Sequence, residues 1–197
     1  MSHILHLDAS ARPGLAGTDH HGSHSRYLSH RFVSRWQSHR PQDAVVYRDL
    51  GQRPPSFIDH DWVALAFTPD ERREPWMKAA LAESDELVDE LIAADIVVIG
   101  TPLYNFGMPA PLKTWVDQVV RIGRTVDLDD TDPFNPYVAR LADRERNVVV
   151  LAARGGTCTA SSAESTSSAS SASSGAWPGS SSRPSTSCSA TSALAAT

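Results

Sequence analysis

A doubly wound parallel α/β sheet is the fold this sequence predicts, and three observations predict it. Short apolar runs alternate along the chain with stretches of helical spacing, and each right-handed crossover between parallel strands lays a helix on one face. Residues 96–99 are continuously apolar and β-branched, as a central strand covered on both faces must be. Finally, the alternation stops abruptly. Of 197 residues, the last 41 (157–197) hold 16 Ser and 9 Ala, one acid (Glu164) and one base (Arg183). That composition buries too little apolar surface to offset the entropy of ordering it, so residues 157–197 are expected to be a disordered Ser/Ala-rich tail. Residues 1–156 are then the folding unit.

Residues 4–7 are an apolar run broken by Asp8 and followed by Ser, Gly, Pro and His from 9 to 25, which reads as a buried strand feeding a long loop. From Ser25, Leu28, Phe32 and Trp36 recur every four residues and mark one helical face that ends before Pro41. Residues 44–47 make a second strand, and Pro54-Pro55 opens an irregular excursion. Thr68 and Glu71 form a capping-box pattern with Pro69 at the first helical position, predicting a helix start there. Leu81, Leu87, Val88, Leu91 and Ile92 carry the helical pattern to Asp95, with a kink near Ser84. Gly100 and Pro102 are expected to stop the third strand. Pro111 starts another helix, with Leu112, Trp115, Val116, Val119 and Val120 inward and Gly123 as its stop. Residues 147–151 form the fourth strand, after which Ala153, Arg154, Gly155 and Gly156 turn the chain away.

The formal net charge is -5, all of it carried by residues 1–156, and no Lys/Arg run is present, which argues against nucleic acid as a partner. No stretch approaches the roughly 18 apolar residues of a membrane span, and the first ten residues lack the features of a signal peptide, so a cytoplasmic location is expected. Both cysteines, Cys158 and Cys188, fall in the tail. The folding unit therefore has no thiol for a disulfide, a nucleophile or a zinc site, and redox chemistry would need a cofactor.

Ligands of such sheets bind at the carboxyl ends of the strands, where three loops gather: 9–25, 101–108 and 153–156. In the first, Ser10, Ser23 and Ser25 with interspersed glycines lead into a helix start, a setting that suits a phosphate, although Ser23 or Ser25 could simply cap the helix. The second, Thr101-Pro102-Leu103-Tyr104-Asn105-Phe106-Gly107-Met108, mixes aromatics, an amide and a thioether that could stack on a flat heterocycle or merely pack as a lid. In the third, Gly155 and Gly156 permit close backbone approach. Neither a G-x-G-x-x-G nor a P-loop pattern occurs. Asp19, His20, His21 and His24 read as exposed loop residues rather than metal ligands, and Asp127, Asp129, Asp130 and Asp132 as a solvated run. Trp36, Trp62, Trp76 and Trp115 are expected to anchor the core or a subunit interface.

Together the serine loop, Ser84 to Leu91, Thr-Pro-Leu-Tyr-Asn-Phe at 101–106, Leu-Lys-Thr-Trp-Val-Asp at 112–117 and Arg154-Gly-Gly resemble the FMN-dependent NADH azoreductases, a flavodoxin-like family of NAD(P)H:quinone oxidoreductases. The resemblance covers residues 1–156. It implies that Ser10, Ser23, His24 and Ser25 hold the FMN phosphate and that Leu103, Tyr104, Asn105 and Phe106 line the isoalloxazine. Ala153, Arg154, Gly155 and Gly156 match the last flavin loop, with Ala153 where the family carries Ser or Thr. It also implies ping-pong transfer of two electrons from NADH to a quinone or aromatic azo compound, no catalytic side chain, no metal, and a homodimer. Five strands are the family's number, whereas four precede Gly156. The fifth strand and last helix are therefore expected to be missing, with a reading-frame disruption near Gly156 or a genuine Ser-rich linker as the two explanations. A non-enzymatic flavodoxin-type electron carrier and an inactive remnant are the rival readings.

Overall fold

A computed structural model describes residues 1–129, 131, 134 and 136–155. Gly156, residues 157–197, Asp130 and Asp132 lie outside the described residues, as do the places where a fifth strand and last helix were expected.

The main sheet is four-stranded and parallel, in the order β2-β1-β3-β6: β1 (His3–Asp8), β2 (Ala44–Asp49), β3 (Ile96–Pro102) and β6 (Asn147–Ala153). Side chains of β1 and β3 alternate between two apolar layers, as a period of two requires. Leu5, Leu7 and Val97 pack with Leu87 and Val88 of α4 (Ala82–Ala93) and with Leu112, Trp115 and Val119 of α5 (Ala110–Val119). Ile4, Ile96 and Val98 face the opposite way, onto Val33, Phe32 and Trp36 of α1 (His24–His39). Helices thus cover both faces, and the doubly wound α/β expectation holds.

Several details differ from the sequence reading. β3 continues through Gly100 to Pro102, where Thr101 and Pro102 pair in register with Ala152 and Ala153. The Pro-rich excursion contains a short helix, α2 (His60–Ala66), capped by Asp59, whose carboxylate accepts the Trp62 N–H at 2.8 Å. The capping box does not form, because Thr68 Oγ1 donates backward to the Ala64 carbonyl at 3.0 Å and only a single 3-10 turn, Asp70–Arg72, follows. The helix begins instead at Pro75, as α3 (Pro75–Ala80), and the break before α4 falls at Leu81 rather than Ser84. α5 ends at Val119, so Val120 is exposed rather than inward, and Gly123 sits in the following turn at φ 78°. A small antiparallel pair, β4 (Val126–Leu128) and β5 (Tyr137–Ala139), and a 3-10 turn at Arg140–Asp143 lie between α5 and β6. Of the four tryptophans expected as anchors, Trp115 is buried and Trp36 and Trp62 are partly so, whereas Trp76 is exposed.

Candidate functional site

The serine loop leaves β1 beside β3, with the Ala9 N–H donating to the Gly100 carbonyl at 2.9 Å. Its middle loops outward and closes on itself. Ser23 N donates to Gly14 O at 2.8 Å, Ala16 N to Ser23 O at 3.1 Å, and Leu15 N to the Asp19 carboxylate at 2.6 Å. His20, His21 and His24 are exposed, with the first two rings stacked edge-on at the tip. Ser10, Ser23 and Ser25 are by contrast buried. Ser23 does cap α1, accepting the Arg26 N–H at 3.3 Å, and its hydroxyl lies 3.1 Å from that of Ser25. Capping leaves work undone. Among the described residues, the N–H groups of His24 and Ser25 have no acceptor, so two backbone donors and the positive end of a 16-residue helix meet beside neutral hydroxyls.

The second loop is built differently. Tyr104 N donates to Gly107 O at 3.1 Å and Gly107 N to Tyr104 O at 3.0 Å, enclosing Asn105 at φ 50° and Phe106 at φ 63°. Two left-handed residues between mutual hydrogen bonds make a type I′ turn, a shape that favours Asn-Gly. Phe106 occupies the glycine position, at a cost of order 1 kcal/mol, and its ring is 102% exposed. The turn thus displays an aromatic ring to solvent together with the N–H groups of Asn105 and Phe106, which have no acceptor among the described residues.

Hydrogen bonds join the three loops. Ala11 N donates to the Tyr104 hydroxyl at 3.3 Å, linking first to second, and Leu103 N donates to Ala153 O at 2.8 Å, linking second to third. The candidates Ser10, Ser23, Ser25, Leu103, Tyr104, Asn105, Phe106 and Ala153 therefore belong to one rim. His24 and Arg154 are exposed, Gly155 ends the described third loop, and Gly156 lies outside it.

Sequence reasoning missed the charged layer beneath the serine loop. Register places His6 opposite Tyr47 and Asp8 opposite Asp49, all on the α1 face of β1 and β2. Two neighbouring carboxylates need a shared cation, and Arg26 supplies it from α1. Ser29 Oγ donates to Asp8 at 2.7 Å and the Tyr47 hydroxyl donates to Asp8 at 3.1 Å. Burial alone would raise the Asp8 carboxyl, but the His6 ring, the Ser29 hydroxyl and Arg26 outweigh it and hold Asp8 below the ordinary carboxylate range. For Tyr47, burial and the charges of Asp8 and Asp49 push the phenol upward, so it stays protonated as a donor. An open cavity of about 480 Å³ borders this layer, between Pro13, His30 and Val45, but no residue of the second or third loop lines it. It touches the rim only through Pro13, Gly14 and Leu15 of the first loop.

Among the described residues no group of three or more His, Cys, Asp or Glu side chains could hold a metal ion. The donor set fits a different guest. Unpaired backbone N–H groups and serine hydroxyls suit a phosphate monoester at one end, while the exposed aromatic turn with its own free N–H groups suits a flat, polar-edged ring at the other.

Residues 2–174 match the family described as having the flavodoxin-like fold. An FMN-dependent NADH:quinone oxidoreductase 2 of Idiomarina loihiensis is 51% identical over 129 residues, which are 66% of this chain and 54% of the relative. An FMN-dependent NADH:quinone oxidoreductase of Nostoc punctiforme is 44% identical over 162 residues, 82% of this chain and 73% of the relative. The chain thus spans between about half and three quarters of these relatives' lengths. Among solved structures, an azoreductase from Bacillus anthracis superposes with a TM-score of 0.66 at 27% identity, over 80% of this chain and 71% of that one.

Proposed function

The chain belongs to the family with the flavodoxin-like fold, and because relatives up to 51% identical are named FMN-dependent NADH:quinone oxidoreductases, we propose that it binds FMN and transfers two electrons from NADH to a quinone or aromatic azo compound. The observation that carries this reading is the pairing of two different ends on one rim: unpaired helix-start N–H groups beside buried Ser10, Ser23 and Ser25, and a left-handed turn presenting Phe106. Bound FMN would supply all of the hydride chemistry.

The chain's own residues bind, orient and shield. Ser10, Ser23, Ser25 and the backbone of His24 hold the phosphate with uncharged donors, leaving the His24 ring at the surface. Leu103, Tyr104, Asn105 and Phe106 line one face of the ring system, and the peptide N–H groups of the turn address its polar edge. Ala153 and Arg154 close the third side, with no hydroxyl at Ala153. No side-chain acid, base or nucleophile is needed, and residues 1–156 act as the flavin-binding unit. Phe57, Phe67 and Trp76 are exposed apolar groups on the excursion between β2 and α4, and they support a second copy of the chain as partner. The described helices include none long and apolar enough to cross a membrane, and NADH as reductant favours the cytoplasm.

Titrating the protein with FMN while following visible absorbance, then adding NADH and benzoquinone, tests the proposal. Saturable binding followed by quinone-dependent NADH oxidation is expected. Binding without NADH oxidation would make the chain an electron carrier, and no binding by folded protein would overturn the flavin reading altogether.

A further inference from the structure

We propose that Arg26 and Asp49 form a brace that holds the serine loop in its phosphate-binding shape without touching the phosphate, so that Arg26 is a positioning residue for discrimination between phosphorylated and unphosphorylated flavin. The proposal rests on the flavin reading above.

A guanidinium in the first turn of a helix beside three serines would ordinarily be assigned to the phosphate itself. Here its capacity is already spent. Arginine has five N–H donors, and each meets an acceptor in the protein. Nε donates to Arg12 O at 2.7 Å, Nη1 to the Tyr47 hydroxyl at 3.0 Å and Asp49 Oδ2 at 2.8 Å, and Nη2 to Ser10 O at 2.8 Å and Asp49 Oδ1. The residue is 4% exposed, so its guanidinium cannot swing toward a ligand without leaving two carbonyls unpaired and the Asp49 carboxylate without its cation.

What it does hold is the loop. Its side chain grips the carbonyls of Ser10 and Arg12 at one end, and its backbone N–H binds the Ser23 hydroxyl at the other. One residue thereby ties both serine clusters to the end of β2, across a loop whose middle bulges away. The β2 side is prepared for this. A Cβ at Gly51 would fall on the Ser10 carbonyl, so only glycine lets the chain pass there, and Gln52 Nε2 donates to Ala11 O at 3.0 Å. Gln52 N in turn donates to Asp49 Oδ1 at 3.1 Å, which orients the carboxylate. Lysine, with three donors on a point charge, cannot reproduce this fork.

The test compares FMN with riboflavin, which share the ring and differ in the phosphate, by quenching of flavin fluorescence on the full chain. Wild type should bind FMN at least about tenfold more tightly than riboflavin. Arg26→Lys and Asp49→Asn should each lower FMN affinity by about tenfold or more and leave riboflavin affinity within about twofold. Gln52→Ala, a milder cut in the same brace, keeps the test open if those two fail to fold and should shrink the preference part way. Ser29→Ala is the control: it removes hydroxyl bonds to Asp8 and to the Arg26 carbonyl but leaves all five guanidinium donors paired, and the FMN-to-riboflavin ratio should not move. Variants that fold and keep the wild-type ratio overturn the brace alone. A wild type with no preference for FMN overturns the phosphate assignment on which it rests.

Discussion

The two ends of the rim are built to opposite rules. At the serine end the hydroxyls are buried, the loop is tied to β1, β2 and α1, and an arginine with no spare donor lies beneath it. At the aromatic end the turn is held by one pair of mutual hydrogen bonds, Phe106 sits in a left-handed conformation it does not prefer, and its side chain is fully exposed. A guest that keeps one invariant group and exchanges partners over its other end would need this division, with rigidity where the shape is constant and tolerance where different molecules must stack in turn.

The sharpest way to break the comparison is Arg26→Leu. Removing one partner of a largely buried pair should cost about 3 kcal/mol in urea unfolding, toward the low end because Asp49 keeps some solvent. A loss near zero would mean the serine end is no more rigid than the aromatic end. Ser29→Ala should cost about 1.5 kcal/mol by stripping a buried donor from Asp8. The same carboxyl predicts the acid limb of stability. Its folded pKa is depressed, so its contribution is fully present above the ordinary value of 3.8 and is lost as pH falls through the lower folded one. In Ser29→Ala that dependence should flatten, and unfolding curves between pH 5 and 2, roughly the span over which a depressed carboxylate titrates, will show whether it does. Ser23→Ala should cost about 1 kcal/mol as a lost helix cap and weaken FMN more than riboflavin. Smallest is Phe106→Gly, which should stabilise the protein by about 0.5 kcal/mol because the turn becomes Asn-Gly, while quinone turnover falls. Unchanged turnover would remove Phe106 from the site.

Much of the frame was legible. The strands could be read because β3 and β6 are runs rich in β-branched residues and β1 gathers Ile4, Leu5 and Leu7 before Asp8, and their alternation with helical spacing points to the parallel sheet. The rim followed from topology, since parallel strands deliver their loops to one edge. Short elements were not legible: α2 has seven residues in a Pro-rich context, and β4 and β5 have three each, too few for a period to show. The false helix start at Thr68 came from competition for one hydroxyl, which the end of α2 takes first. Arg26 was hidden for another reason. Its partners are 14 to 23 residues away, and an arginine after serines looks like a surface cation until the register of β1 and β2 sets two aspartates beside it.

Gly51 carries a last implication for how this chain can change over generations. It touches no ligand in any reading, yet every side chain larger than hydrogen there would strike the Ser10 carbonyl. In a saturation library screened for flavin retention, this codon should therefore be among the least permissive, while solvent-facing His20 accepts nearly anything. Intolerance would map the hidden supports of the rim better than proximity to the pigment.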